Sequence, residues 1–235
     1  LYRSMRFGIL VFPGTWSDTD CYYQVKDILG QDTEYVWHDE TSLDGFDSVI
    51  LPGGFSYGDY LRPGAMARFS PVMDALNKFV DSGRTVIGIC NGFQILCESG
   101  LLPGALLPNQ HLEYRCQPTH LRTERADTPF TRVCSQGQVL DVPVSHGEGN
   151  YFADAETLAQ LEAEKRVLFR YCDSSGEATE DANPNGSANN IAGIINQAGN
   201  VLGMMPHPER SCEVILGSTD GNLIFESIIE NCRQA

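Results

Sequence analysis

Basic residues are scarce in this sequence. Sixteen lysines and arginines stand against 31 aspartates and glutamates among 235 residues, a formal charge of −15. That balance argues against an extended phosphate-binding surface, because nucleic-acid binders carry a basic footprint, and against adhesion to an anionic membrane. No run approaches the ~20 apolar residues of a membrane span. No Gly-x-x-x-x-Gly-Lys-Ser/Thr loop and no Gly-x-Gly-x-x-Gly fingerprint occurs, so the chain shows no recognisable site for ATP or a dinucleotide. The cysteines, eight in all, include no pair separated by two residues and no Cys/His cluster at zinc-finger spacing. Leu1 to Met5 lead straight into a strand-like run, without an apolar signal region. Reduced thiols in the cytoplasm are therefore the expectation.

Apolar residues make up 42% of the chain, enough for a real core. Short apolar runs alternate with helical patterns, which predicts an α/β fold: a three-layer α/β/α sandwich around a largely parallel sheet. The spacing predicts strands over 7–12, 34–37, 48–51, 85–89 and 167–171, and a hairpin of 191–195 with 201–205. Helices are predicted over 20–29, 66–80 with a break at Pro71, 92–98, 155–165 and 223–232. Residues 111–144 read as extended segments decorating the sheet, and 173–190 as a long polar loop. One domain spanning 5–235 is expected, with residues 1–4 outside it.

The most informative stretch is Gly88-Ile89-Cys90-Asn91-Gly92, between a buried strand and a helix. Gly-x-Cys-x-Gly is the cysteine version of the nucleophile elbow. The glycines allow a turn too tight for side chains two residues either side of the nucleophile. The turn lifts the sulfur clear of the sheet and sets it at a helix N-terminus, where the dipole favours thiolate. The Asn91 N–H then points toward an oxyanion formed beside the sulfur. Cys97, ~10 Å further along a helix, belongs to the core.

A cysteine nucleophile needs a histidine, and that histidine needs an acceptor. His207, in Pro206-His207-Pro208-Glu209, is the first candidate base: it follows a strand, prolines fix its backbone, and Glu209 at i+2 can hold the imidazole. His146, in Ser145-His146-Gly147-Glu148-Gly149-Asn150, is the second, and a candidate pocket wall. His38, His111 and His120 read as structural or exposed. Pro52-Gly53-Gly54-Phe55 follows another strand. The N–H of one of its two glycines is expected to pair with that of Asn91 in an oxyanion hole, at roughly 3–4 kcal/mol per donor.

These residues resemble the triad, or class I, glutamine amidotransferases. The likeness is closer still to the glutaminase subunits of phosphoribosylformylglycinamidine synthase. It rests on Phe12-Pro13-Gly14, the run from Pro52 through Phe55-Ser56-Tyr57-Gly58-Asp59 to Arg62, His146 to Asn150, Asn183-Pro184-Asn185-Gly186-Ser187, and Met204 to Arg210. Two departures lie outside the triad: Thr15-Trp16-Ser17 where that branch has Ser-Asn-Cys, and Pro63 where it has Cys. The resemblance implies Cys90 as nucleophile, His207 as general base and acid, and Glu209 as its orienter. It implies that Gln94 and the backbone of Gly54 and Phe55 line a glutamine pocket. It implies no cofactor on this chain. ATP and magnesium are expected on a large synthetase subunit, joined to this one by a small bridging subunit. Competing readings are another triad amidotransferase (for GMP, CTP or anthranilate synthesis), a non-catalytic regulatory subunit, and a cysteine peptidase on a similar sheet.

Overall fold

The structure, a computed structural model, describes residues 4–234. The strands are β1 (Arg6–Val11), β2 (Asp32–Trp37), β3 (Ser48–Leu51), β4 (Thr85–Ile89), β5 (Ala105–Leu107), β6 (Arg115–Gln117), β7 (His120–Thr123), β8 (Val139–Asp141), β9 (Val144–His146), β10 (Asn150–Phe152), β11 (Val167–Cys172), β12 (Ile191–Ile195) and β13 (Val201–Met204). The helices are α1 (Asp18–Tyr22), α2 (Val72–Asp81), α3 (Asn91–Glu98), α4 (Ala155–Ala163) and α5 (Asn222–Gln234).

Nine strands form one sheet in the order β2-β1-β3-β4-β13-β12-β11-β7-β8. From β2 to β13 neighbours run parallel. From β13 to β8 they run antiparallel. Every residue of β3, β4, β12 and β13 is buried. Alternate side chains of a strand point to opposite faces, so both faces here are covered.

The parallel half decides where chemistry collects. In such sheets functional groups gather beyond the carboxyl ends of the strands. β3, β4 and β13 are adjacent, although β4 and β13 are far apart in sequence. The segments that follow them, Pro52-Gly53-Gly54, Cys90-Asn91 and Pro206-His207, therefore emerge side by side.

Local structure follows the residue pattern, with informative exceptions. α2 buries Val72, Ala75, Leu76 and Phe79, an i, i+3, i+4, i+7 stripe, with Met73 and Val80 beside it. It starts after Pro71, and the residues before it form only a 3-10 turn, Ala67–Phe69. α4 begins at Asp154, whose carboxylate accepts the Thr157 N–H at 2.7 Å. The helix expected over 20–29 is instead the short α1 followed by a wider π-type turn, Tyr23–Ile28. Gln24 in that turn is fully buried, and its amide donates to Pro208 O at 3.3 Å and Asn222 Oδ1 at 3.0 Å. The widened turn thus ties this segment to the stretch after His207. Residues 111–144 do more than decorate. β7 and β8 extend the main sheet at its far edge, while β6 pairs with β9 outside it. Strands of three or four residues show too little alternation to be read from sequence. Of the segment expected to lie outside the domain, residues 1–3 fall outside the described residues; Ser4 Oγ accepts the Asp32 N–H at 3.0 Å.

α3 lies so close to the sheet that a Cβ on Gly92 would run into the Leu51 carbonyl. A Cβ on Gly88 would stand 2.7 Å from the Gly92 backbone and 2.5 Å from a Leu96 methyl. Gly88→Ala must push α3 off β4. Its expected cost is about 2–3 kcal/mol in urea unfolding, and unchanged stability would contradict the packing argument.

Candidate active site

Cys90 is the hinge between β4 and α3. Its backbone sits at φ 51°, ψ −106°, a conformation costing about 1–3 kcal/mol for a non-glycine residue. Its N–H donates to Met204 O at 2.8 Å, and its carbonyl accepts the Gln94 N–H at 3.1 Å, opening α3. The side chain is buried, and the thiol donates to the Ser145 carbonyl at 3.7 Å. All eight cysteines are free.

His207 arrives from β13. Its N–H donates to Pro143 O at 2.8 Å. Its Nδ1 meets Glu209 Oε1 at 2.5 Å, and both side chains are buried. Nδ1 is therefore the nitrogen facing the carboxylate. Nε2 is buried without a hydrogen-bond partner. Gly53 shows where that imidazole lies. A Cβ built on Gly53 would stand 2.8 Å from His207 Cε1 and 3.4 Å from Cys90 Cβ. Thiol and imidazole thus flank one point on the loop after β3. They line a single pocket of about 550 Å3 with Gly54, Phe55, Gln94 and His146.

The electrostatics separate the two candidate histidines. Burial pulls the His207 pKa down, but the Glu209 carboxylate, and then the charge of the Cys90 sulfur, outweigh it and hold His207 well above the usual imidazole range. His146 has no carboxylate. Burial, reinforced by His207, pushes its pKa down to about 3, so it is neutral at any working pH. Its Nδ1 lies 3.1 Å from Asn109 Oδ1, and its Nε2 lies 3.4 Å from the Asn185 amide. His146 is a fixed, uncharged part of the wall, and of the two only His207 has a carboxylate at its ring.

The other candidate residues are placed as follows. The Asn91 side chain accepts from Ser56 N at 3.2 Å and donates to Gln94 Oε1 at 2.9 Å. Gln94 in turn donates to the Glu148 carbonyl at 2.7 Å. Phe55 lines the pocket, but its N–H is spent on Gly14 O at 2.9 Å and is not available to an oxyanion. Gly54, at φ 147°, packs so tightly that a Cβ would stand 2.5 Å from Trp16 N. His38 is held by the Tyr57 hydroxyl at 3.0 Å, and His111 is exposed. Among the described residues, no group of three or more His, Cys, Asp or Glu is placed to hold a metal.

Sequence reasoning missed the Ser145 carbonyl under the thiol and the two asparagines around His146. Asn109 also donates to the His146 carbonyl at 2.9 Å, and Asn185 to the Gly149 carbonyl at 2.8 Å. The Asn183–Ser187 motif was the available signal for the second of these.

The family model of the CobB/CobQ-like glutamine amidotransferase domain matches residues 4–222. A Moorella thermoacetica protein named phosphoribosylformylglycinamidine synthase subunit PurQ is 58% identical over 226 residues, covering 96% of each chain. This chain belongs to the PurQ family of glutamine amidotransferases. The Salinibacter ruber PurQ is 55% identical over 228 residues, 97% of each chain. A chain in the solved structure of PurLQS from Thermotoga maritima superposes with a TM-score of 0.86 at 39% identity, covering 98% of this chain and 100% of that one. A second solved glutamine amidotransferase from Thermotoga maritima, at 15% identity and a TM-score of 0.59, shares the fold.

The two departures from the family pattern lie on the pocket wall. Trp16, Ser17 and Pro63 all line it. Ser17 Oγ accepts from Arg210 Nη2 at 2.9 Å, which braces the segment that carries Glu209.

Glu209→Gln removes the charge that keeps His207 protonated. We expect the His207 pKa to fall, read by NMR of labelled histidine. Ammonia release from glutamine should drop ~10³–10⁴-fold, the scale seen when a triad loses its orienting acid. A raised imidazole pKa stabilises the fold fully below the ordinary value of 6.5. That contribution fades as pH rises through the raised value. The stability gap between wild type and Glu209→Gln should therefore narrow from pH 6.5 upward; a gap that widens would refute the assignment.

Proposed function

We propose that this chain hydrolyses L-glutamine to glutamate and ammonia and delivers the ammonia to a partner synthetase. That synthetase makes formylglycinamidine ribonucleotide from formylglycinamide ribonucleotide in purine biosynthesis. One observation carries the reading: Cys90 and His207, more than a hundred residues apart, flank Gly53 on one pocket. The family and its PurLQS relative support the assembly with a large synthetase and a small third subunit.

In the proposed reaction the Cys90 thiolate attacks the side-chain amide carbon of glutamine. The carbonyl oxygen becomes an oxyanion, received by the N–H groups of Asn91 and Gly54. Asn91 opens a helix, where backbone donors lack internal partners, and the loop after β3 offers the N–H groups of Gly53 and Gly54, of which Gly54 is the one proposed, while Phe55 N–H bonds Gly14. The carbon–nitrogen bond breaks as His207 Nε2 protonates the departing ammonia. A glutamyl thioester remains. His207 then takes a proton from water, hydroxide attacks the thioester, and glutamate leaves with the thiolate restored. Glu209 holds the imidazole throughout.

ATP and magnesium belong to the synthetase in this proposal. The cytoplasm is its proposed site, supported by eight free thiols; among the described residues no helix is long and apolar enough to cross a membrane. A purely regulatory role is disfavoured by the intact Cys90, His207 and Glu209.

Cys90→Ser should fold normally and abolish glutamine-driven synthesis in the assembled complex, while synthesis from added ammonium survives. Retained glutamine use would refute Cys90 as nucleophile.

A further inference from the structure

Two carboxylates on the pocket wall have no part in the steps above. Asp59 closes the turn Ser56–Asp59, and Glu148 lies two residues beyond His146. Asp59 Oδ1 is shut off from water and has no hydrogen-bond partner. Such an atom costs about 1–3 kcal/mol unless something binds it. Burial, and then the charge of Glu148, pushes the Asp59 pKa up to about 6. Glu148 is raised by burial too. Asp59 is thus less comfortable as an anion for its burial and for the presence of Glu148, and a cation in the pocket relieves it.

Among the described residues, Arg210 is the only lysine or arginine lining this pocket, and it is engaged elsewhere: its Nη2 donates to Ser17, and its Nε lies 3.5 Å from Asp20 and 4.0 Å from Glu209. The backbone that presents Asp59 is itself strained. Tyr57, Asp59 and Leu61 have φ of 54°, 55° and 69°, conformations that persist where surrounding structure enforces them, as at ligand clamps.

We infer that Asp59 holds the α-ammonium group of the amino-acid substrate, with Glu148 adding long-range attraction, and so selects an α-amino acid over a simple carboxamide. The inference rests on the glutaminase reading above. The amide of glutamine must lie at Cys90, and the only positive charge on that molecule is its α-ammonium. An ammonium also brings three donors to a carboxylate that lines the pocket and whose Oδ1 has no partner to share its charge.

The test uses the complex of this chain with its synthetase and small subunit. Ammonia release is measured from L-glutamine and from glutaramate, which keeps the carboxamide and carboxylate but has hydrogen in place of the amino group. Wild type should prefer glutamine by at least ~10-fold, the smaller end of a charged hydrogen bond's worth. Asp59→Asn suits the left-handed backbone, because asparagine visits it readily. It should raise the KM for glutamine ~10- to 100-fold with kcat held, leave glutaramate turnover unchanged, and so collapse the preference. Asp59→Glu, which keeps the charge, should retain it. Ammonium-driven synthesis checks that the variants fold and dock. An indifferent wild type, an unchanged KM in Asp59→Asn, or equal loss on both substrates overturns the inference. A wild-type complex that releases no ammonia from glutamine overturns the glutaminase reading instead.

Discussion

The left-handed backbone at Cys90 is the constraint that the rest of the site answers to. A sulfur facing a cleft at the end of a buried strand requires the chain to reverse within one residue. The reversal brings α3 down onto β3 and β4, which is why Gly88 and Gly92 have no room for a side chain. It leaves Cys90 N–H bonded to Met204 and Cys90 O bonded to Gln94, so the strained residue is gripped from both sides. Packing of the sheet below holds the strain in place.

The two histidines of the pocket show how surroundings outweigh residue type. Both are buried, and burial alone lowers both pKa values. His207 has a carboxylate at 2.5 Å and rises. His146 has amides at its two nitrogens and falls. The same ring is a charge-bearing group in one position and a neutral spacer in the other. The charge of His207 is itself one reason that His146 stays neutral.

The legible parts of the sequence were those whose physics is local. Gly88-x-Cys90-x-Gly92 announces a tight strand-to-helix reversal, because both close approaches occur within two residues of the sulfur. Pro206-His207-Pro208-Glu209 carries an imidazole and its carboxylate partner within a single turn. The buried strands β3, β4 and β13 are continuous apolar runs. The rest depended on contacts distant in sequence. Phe55 loses its N–H to Gly14, about forty positions upstream, and no local pattern marks that bridge. Asn109 and Asn185 reach His146 from 37 and 39 residues away. β7 and β8 are too short to show a period, and the widening after Tyr22 accompanies a buried glutamine whose partners lie near the far end of the chain. Asp59 sat inside a quoted motif, but only the pocket gave its carboxylate a meaning.

The site hangs from three neighbouring strands, β3, β4 and β13, and β13 follows β4 in the chain by more than a hundred residues. Until it slots beside β4, Cys90 has no imidazole facing it and its N–H has no Met204 carbonyl to bond. A half-folded chain therefore holds the sulfur and the imidazole apart, and the topology makes their meeting a late event, complete only when the sheet is.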